Sequence, residues 1–437
     1  SVLSGLVMAG DSIAFNLTIE NQGGLACPPL TLTFLDNALA WNDGLSFNCP
    51  SIGIDESVTS HGFGLLELSD QIYPGEVIEL VFMVENGEWV DTLSTSLTVE
   101  QTSPFSPSQP DAYGYRVFDD MDVSFSLVPT YEWLEIDPDL GGGGTHLAIH
   151  DLYEETDEIV HHDLPFPVTY YGQVYNVVTI CSNGWLALGY SPELSFYNRV
   201  IPSAEGPNAM IAPFWDDLIT SPGGVSVHTL EDQFIVEWSR MSNLEVASTL
   251  NFQVIIYNTV SYPTASGDSQ IKMQFKDYHN FDTASNFSTT GIESPDYSTG
   301  LQVGFNNHTD PSIGQLHSEQ ALLFTTDRAI RYPASEMSLS STTLDFVMNP
   351  WSQAADSITI SNNGGSSLVY SLEHFNEVAR EPAPNPLAGF EFIKGGPEPD
   401  GRNYISNTRD LFDYEWLDQD DPGGPEYDWI DISQPAN

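Results

Sequence analysis

Four acidic clusters carry the densest chemistry in the chain. They are Asp119-Asp120-Met121-Asp122, Glu154-Glu155-Thr156-Asp157, Asp216-Asp217 and Asp418-Gln419-Asp420-Asp421. Carboxylates bunched in flexible loops supply the hard oxygen ligands that calcium prefers. Asp119, Asp120, Asp122, Asp216 and Asp217 are therefore the candidate calcium ligands. No cluster fits the twelve-residue EF-hand loop, and 62 acidic residues also produce clusters by chance. Asp216-Asp217, directly after Phe214-Trp215, serves equally well as a turn or capping pair.

Other chemistries are weaker. His146 and His150 lie four apart, a zinc-pair spacing only on a helix, and a run of four glycines precedes them. His161 and His162 would point to opposite faces of a strand. Cys181 lies in Val178-Thr-Ile-Cys-Ser-Asn-Gly184, a strand entering a glycine turn, so it reads as a core thiol rather than a nucleophile. Neither Gly-X-Ser-X-Gly nor His-Glu-X-X-His occurs, so no catalytic residue is assigned and the chain is expected not to be an enzyme. Trp185, Trp215 and Trp238 fall in strand patterns and belong in a core. Trp41, Trp89 and Trp351 fall in loops and are the candidates for stacking on sugars.

The elements that must position these residues are strands. Runs such as Val77-Ile-Glu-Leu-Val-Phe-Met-Val84, Gln233-Phe-Ile-Val-Glu-Trp238 and Asn251-Phe-Gln-Val-Ile-Ile-Tyr257 alternate in period two between Gly- and Pro-rich turns. This predicts an all-β chain of tandem antiparallel sandwiches. Hydrophobic residues at 41% and aromatics at 12% suffice for packed cores.

Eleven basic residues against 62 acidic ones give a net charge of −51. So few cations cannot neutralise many phosphates, which excludes nucleic acid and disfavours anionic membranes. No apolar run is long enough to span a bilayer, so no membrane insertion is expected. Ser1 follows neither an initiator Met nor a basic n-region and reads as a processed or trimmed end. Cys27 and Cys49 could pair, leaving Cys181 alone; the other reading is three unpaired buried thiols. Asn16, Asn286 and Asn307 head Asn-X-Ser/Thr triplets.

The chain repeats itself. Asn16-Leu-Thr-Ile-Glu-Asn-Gln-Gly-Gly24 matches Ser357-Ile-Thr-Ile-Ser-Asn-Asn-Gly-Gly365, and Tyr131-Glu-Trp-Leu134 matches Tyr414-Glu-Trp-Leu417. This order predicts a sandwich over 1–108, a larger β domain over 109–335, a short or partial sandwich over 336–380, and a linker with the start of a repeated module over 381–437. Gln101–Gln109, QTSPFSPSQ, reads as a linker.

Val178–Gly189, Ile201-Pro-Ser203 and Pro207-Asn-Ala-Met-Ile-Ala-Pro-Phe-Trp-Asp-Asp-Leu218, with the strands that follow, resemble extracellular nidogen-type (NIDO-like) β domains over about 110–333. The Asn362-Asn-Gly-Gly-Ser-Ser-Leu368 turn and the first domain are similar to bacterial Ig-like modules. The whole resembles non-catalytic regions of large secreted bacterial proteins that carry subtilisin-like or gingipain-like peptidases elsewhere. The resemblance implies an extracellular or cell-surface protein with a structural or adhesive role. The alternatives are the accessory region of a secreted peptidase and a carbohydrate-binding module.

The end of the chain adds one expectation. Tyr414, Trp416, Leu417, Tyr427, Trp429 and Ile430 form an apolar load that seeks a protein partner. That partner is either a downstream domain of the same polypeptide or a second copy docked head to tail into a filament.

Overall fold

In the computed structural model the described residues are 7–368, apart from 43, 45, 61–63, 153–156, 244–248, 280–287, 334, 345–356 and 367. The chain divides into units 1–370 and 371–437, and the second lies outside the described residues. The described residues are almost entirely strand and turn, with one 3-10 turn at Pro138–Leu140.

The first domain contains β1 (Ser12–Ala14), β2 (Thr18–Glu20), β3 (Leu30–Leu35), β4 (Ala40–Trp41), β5 (Ser46–Cys49), β6 (Ser57–Thr59), β7 (Leu65–Leu68), β8 (Val77–Glu85) and β9 (Val90–Thr98). A four-stranded sheet, β5-β3-β8-β9, packs with the short sheets β1-β7-β4 and β2-β6 around one core. In β8 the period-two pattern is literal: Ile78, Leu80, Phe82 and Val84 are buried and Val77 and Glu79 are exposed. Each large side chain removed from water there contributes roughly 1.5–3 kcal/mol.

The second domain runs through β10 (Arg116–Asp119), β11 (Thr145–His146), β12 (Ile159–Tyr170), β13 (Gln173–Cys181), β14 (Leu186–Leu188), β15 (Met210–Trp215) and β16 (Leu218–Ile219). It continues with β17 (Gly224–Thr229), β18 (Gln233–Asn243), β19 (Thr249–Tyr257), β20 (Ile271–His279), β21 (Thr289–Glu293), β22 (Gly300–Phe305), β23 (His308–Thr309) and β24 (Gln320–Thr325). One sheet is ordered β10-β24-β20-β19-β18-β17-β11, with β16 on β18; the other is β12-β13-β14-β15-β21-β22-β23. Their facing sides enclose the main core, including Phe214, Trp238, Phe252 and Phe275. A last antiparallel pair joins β25 (Met337–Leu339) and β26 (Ile360–Asn362).

The outer side of the β18-β19-β20 sheet is also covered, because the segment 131–137 lies across it. Gln274 donates to the Glu132 carbonyl and accepts from its amide, Gln253 donates to Leu134, and Glu237 accepts from Ile136. Ile136 packs on Ile235 and Ile255. This strap is the first copy of the Tyr-Glu-Trp-Leu repeat. The repeat suggests a buried domain start, whereas the domain's first strand is β10 and Leu134 is 40% exposed.

The Gln101–Gln109 stretch is docked rather than a free linker. Ser106 and Ser108 are buried. The Ser108 hydroxyl accepts the Val117 amide at 2.9 Å and Gln109 donates to the Pro74 carbonyl. Serines that look like linker composition here satisfy backbone groups inside a contact between domains.

Candidate functional site

The contact between the two domains centres on Tyr73, fully buried in the β7–β8 connection. Its hydroxyl donates to the Ala329 carbonyl at 2.6 Å. Its ring meets Phe125 edge-on at 4.8 Å, in a cluster with Phe118, Leu323 and Ala329. The guanidinium groups of Arg116 and Arg328 lie 4.8 and 4.3 Å from the ring centre.

Arg328 also grips Glu76 through both nitrogens, at 2.6 and 2.8 Å. Burial pushes the Glu76 carboxyl up, but Arg328, the Tyr73 amide and Arg116 outweigh it and hold the group below its ordinary value. Arg331 makes a second two-pronged pair, with Glu100 at 3.0 and 3.1 Å, and Gln71 exchanges two hydrogen bonds with its backbone. Of the seven Lys and Arg among the described residues, Arg116, Arg328 and Arg331 are all spent on this joint.

The Asp119–Asp122 turn adjoins it, between Phe118 and Phe125. Asp119 and Asp122 are fully buried. Met121 donates its amide to Asp119 Oδ1 at 2.8 Å, and Asp119 donates its amide to Asp122 Oδ2 at 3.0 Å. Asp120 Oδ1 and Asp122 Oδ1 are buried with no hydrogen-bond partner, while the Gly314 backbone amide also faces the Asp119 carboxyl. Burial, followed by the neighbouring Asp119 charge, pushes the Asp122 carboxyl up to about 9; burial raises Asp119 to about 6. The His317 imidazole lies 3.9 Å from Asp120.

Asp216 and Asp217 have a different place. Asp216 is buried, accepts the Asp217 amide at 2.9 Å, and is capped by the Asn243 side-chain amide. It adjoins the Asn183-Gly184 turn, where Asn183 accepts the Leu218 amide and donates to Asp157. Burial raises nearby Asp151 to about 6, helped by the charges of Asp157, Asp217 and Glu158. This network closes a turn, the capping role that the sequence also allowed.

One group escaped sequence reasoning. Asp137, Asp139 and His146 bring one ligand atom each within 4.8 Å of one another, the one such group among the described residues. Ser226 engages His146 Nδ1 at 3.0 Å, and Nε2 faces the two carboxylates at 3.6 and 3.5 Å. Arg240, at positive φ in a bulge of β18, already pairs with both carboxylates at 2.9 and 3.1 Å. His150 is not part of the group. Asp137-Pro-Asp139 ahead of the glycine run was the available signal, and it needed the fold to bring Arg240 across.

Trp185, Trp215 and Trp238 are fully buried. Trp41 lies in β4, 37% exposed, and Trp89 in the β8–β9 turn, 48% exposed. Cys27, Cys49 and Cys181 are all thiols, and burial pushes Cys181 far above its ordinary value. His161 and His162 do not form a chelate: their Nδ1 atoms turn to Thr179 and to the Asp163 carbonyl. Glu154, Glu155, Asn286, Trp351, Asp418–Asp421 and all six apolar residues from Tyr414 to Ile430 lie outside the described residues.

Residues 140–324 match the NIDO-related family model. No curated protein and no solved structure gives a significant match. The matched stretch covers most of the second domain, while β10 and the strap precede it. No helix among the described residues is long and apolar enough to cross a membrane.

Proposed function

We propose that the chain is a non-enzymatic, extracellular structural or adhesive protein whose first two β domains act as one stiff body. The observation that supports this is the joint around Tyr73. A chain with very few cations places three of them at one contact, where each is paired or stacked. Two-pronged Arg–carboxylate pairs in partly buried surroundings fix orientation as well as adding energy. A hinge needs a small, polar, loosely packed contact, and this one has an aromatic core.

An extracellular-type NIDO-related domain and the strong negative charge suit a protein that works outside the cell. Head-to-tail assembly through residues 412–437 is part of this reading and rests on sequence alone. The test is turnover. Purified full chain, incubated with peptide, ester and glycoside substrates, should give none above buffer. An activity that Cys181→Ala removes would overturn the reading.

A further inference from the structure

The outer face of the β18-β19-β20 sheet carries a row of polar side chains that holds an extended segment. Glu237 in β18, Gln253 in β19 and Gln274 in β20 are direct cross-strand partners, and all three are fully buried. They meet the strap's backbone at every second residue. Glu237 accepts the Ile136 amide at 3.2 Å, and Gln253 donates to the Leu134 carbonyl. Gln274 takes up both the amide and the carbonyl of Glu132, at 2.7 and 3.0 Å. Buried polar groups stripped of such partners are costly, so the row needs an occupant.

Main-chain bonds at period two hold any extended segment, and the side chains around them select among segments. Ile136 packs on Ile235 and Ile255. Lys276 pairs with Glu135 at 2.9 Å and lies 5.4 Å from the centre of the Trp133 ring. Lys272, the cross-strand partner of Ile255, is lowered by burial and pulled back up by the Glu132 charge. Lys272 and Lys276 are the two lysines among the described residues. A strongly acidic chain thus turns its lysines toward an acidic segment.

We propose that residues 427–432 of a second copy are another ligand for this row and dock there in place of the strap; the proposal rests on the assembly reading and names its acceptor. Tyr427-Asp-Trp-Ile-Asp-Ile432 repeats Tyr131-Glu-Trp-Leu-Glu-Ile136 position by position. Tyr, Trp and the last Ile are identical, both acids stay acidic, and Ile430 stands for Leu134. Asp428 and Asp431 therefore take the places of the acids that answer Lys272 and Lys276, and Ile432 takes the place of the anchoring Ile136. The other repeat, Tyr414-Glu-Trp-Leu-Asp-Gln419, puts Gln419 at the anchoring position and fits less well.

The strap is a peripheral element. Leu134 is exposed, and Ile136 is the one buried apolar residue of 131–136. A segment held mainly through its main chain is one that an equivalent segment replaces. Exchange between copies joins the tail of one to the second domain of the next, a heterologous contact that extends into a row of subunits.

The experiment uses the full chain carrying Trp429→Ala and Ile432→Ala, so that its own tail does not compete, and a fluorescent peptide of residues 425–434 read by anisotropy. The peptide should bind saturably and be displaced by an unlabelled peptide of residues 130–138. Trp429→Ala or Ile432→Ala in the peptide, which has no fold to lose, should weaken binding about tenfold or more. Ile136→Ala in the chain should tighten it about tenfold, because a loosened strap leaves the row open for more of the time. Near-ultraviolet circular dichroism checks folding, and Trp133→Ala serves as the second strap variant. In sedimentation the wild-type chain should gain mass with concentration, and the Trp429→Ala, Ile432→Ala chain should stay monomeric.

No saturable binding to the chain with an intact or a loosened strap would overturn the row as acceptor. So would binding indifferent to the 130–138 peptide and to both strap variants. If the wild type then still assembles, and deletion of 412–437 abolishes assembly, the assembly reading stands with another acceptor. If the peptide binds as expected but the wild type stays monomeric above the measured Kd, the second copy is overturned as the source of the segment, and the assembly reading falls with it.

Discussion

The Tyr73 hydroxyl of the first domain donates a 2.6 Å hydrogen bond to the Ala329 carbonyl of the second, while the guanidinium groups of Arg116 and Arg328 lie over its ring. One side chain thus ties two sandwiches by a hydrogen bond, an aromatic contact and two cation–π contacts. Burial raises the phenol above its ordinary value even though both arginines and the Ala329 hydrogen bond pull it down. It therefore stays protonated, and a donor, at neutral pH.

Arg328 and Glu76 should be energetically coupled. Arg328 is 35% exposed and Glu76 13% exposed at the side chain, so solvent screens part of the attraction. A double-mutant cycle with Arg328→Ala and Glu76→Ala should give a coupling of about 1–2 kcal/mol in chemical denaturation. A coupling near zero would mean the pair is ornamental.

Thiol labelling should follow burial. Cys27 is partly exposed, whereas Cys49 and Cys181 are buried. Burial raises both buried thiols, and the Cys27 neighbour adds to the effect at Cys49. A disulfide reagent followed by mass spectrometry should mark Cys27 first and Cys181 only on unfolding. Rapid native labelling of Cys181 would contradict its place in the core.

Glu293 should make stability fall as pH rises. It is fully buried, one oxygen lacks a donor, and burial lifts its carboxyl to about 7 despite the Ser203 amide. With the native value above the unfolded one, the folded chain holds a proton that the unfolded chain releases. The benefit is complete below about pH 4.5 and is lost as pH passes through about 7. Glu293→Gln should remove on the order of 2–3 kcal/mol of that slope, read from denaturant midpoints between pH 4 and 8. An unchanged slope would place the proton elsewhere.

Gly184→Ala should destabilise by roughly 2–4 kcal/mol. Gly184 has φ +70°, and a Cβ there would lie 1.9 Å from the Phe214 carbonyl oxygen. A thermal melt within a degree of wild type would show that the turn can relax.

The strands were legible because β8 carries the period-two pattern of a sheet with one wet face, and because β18, β19 and β20 are runs rich in β-branched and aromatic residues between turns, although the strap buries both of their faces. The core role of Trp185, Trp215 and Trp238 followed from the same strand patterns. Asp119, Asp120 and Asp122 were visible as a run, but no local pattern shows which oxygens are orphaned, since that depends on how the turn packs. The joint was invisible for the same reason: Tyr73 and Ala329 meet across 256 positions, and Gln101–Gln109 has linker composition. Asp137 and His146 required Arg240, about a hundred residues on, to be read as one cluster.

The stiffness of the joint is tested most directly by the distance between spin labels at Thr95 in β9 and at Val260 in the loop after β19, both exposed. Pulsed electron resonance would be recorded on the full chain with Cys27→Ser removing the accessible thiol. Two domains held as one body give a single narrow distribution, and Tyr73→Ala with Arg328→Ala broadens it. A wild-type distribution already as broad as that of the double variant would contradict the account.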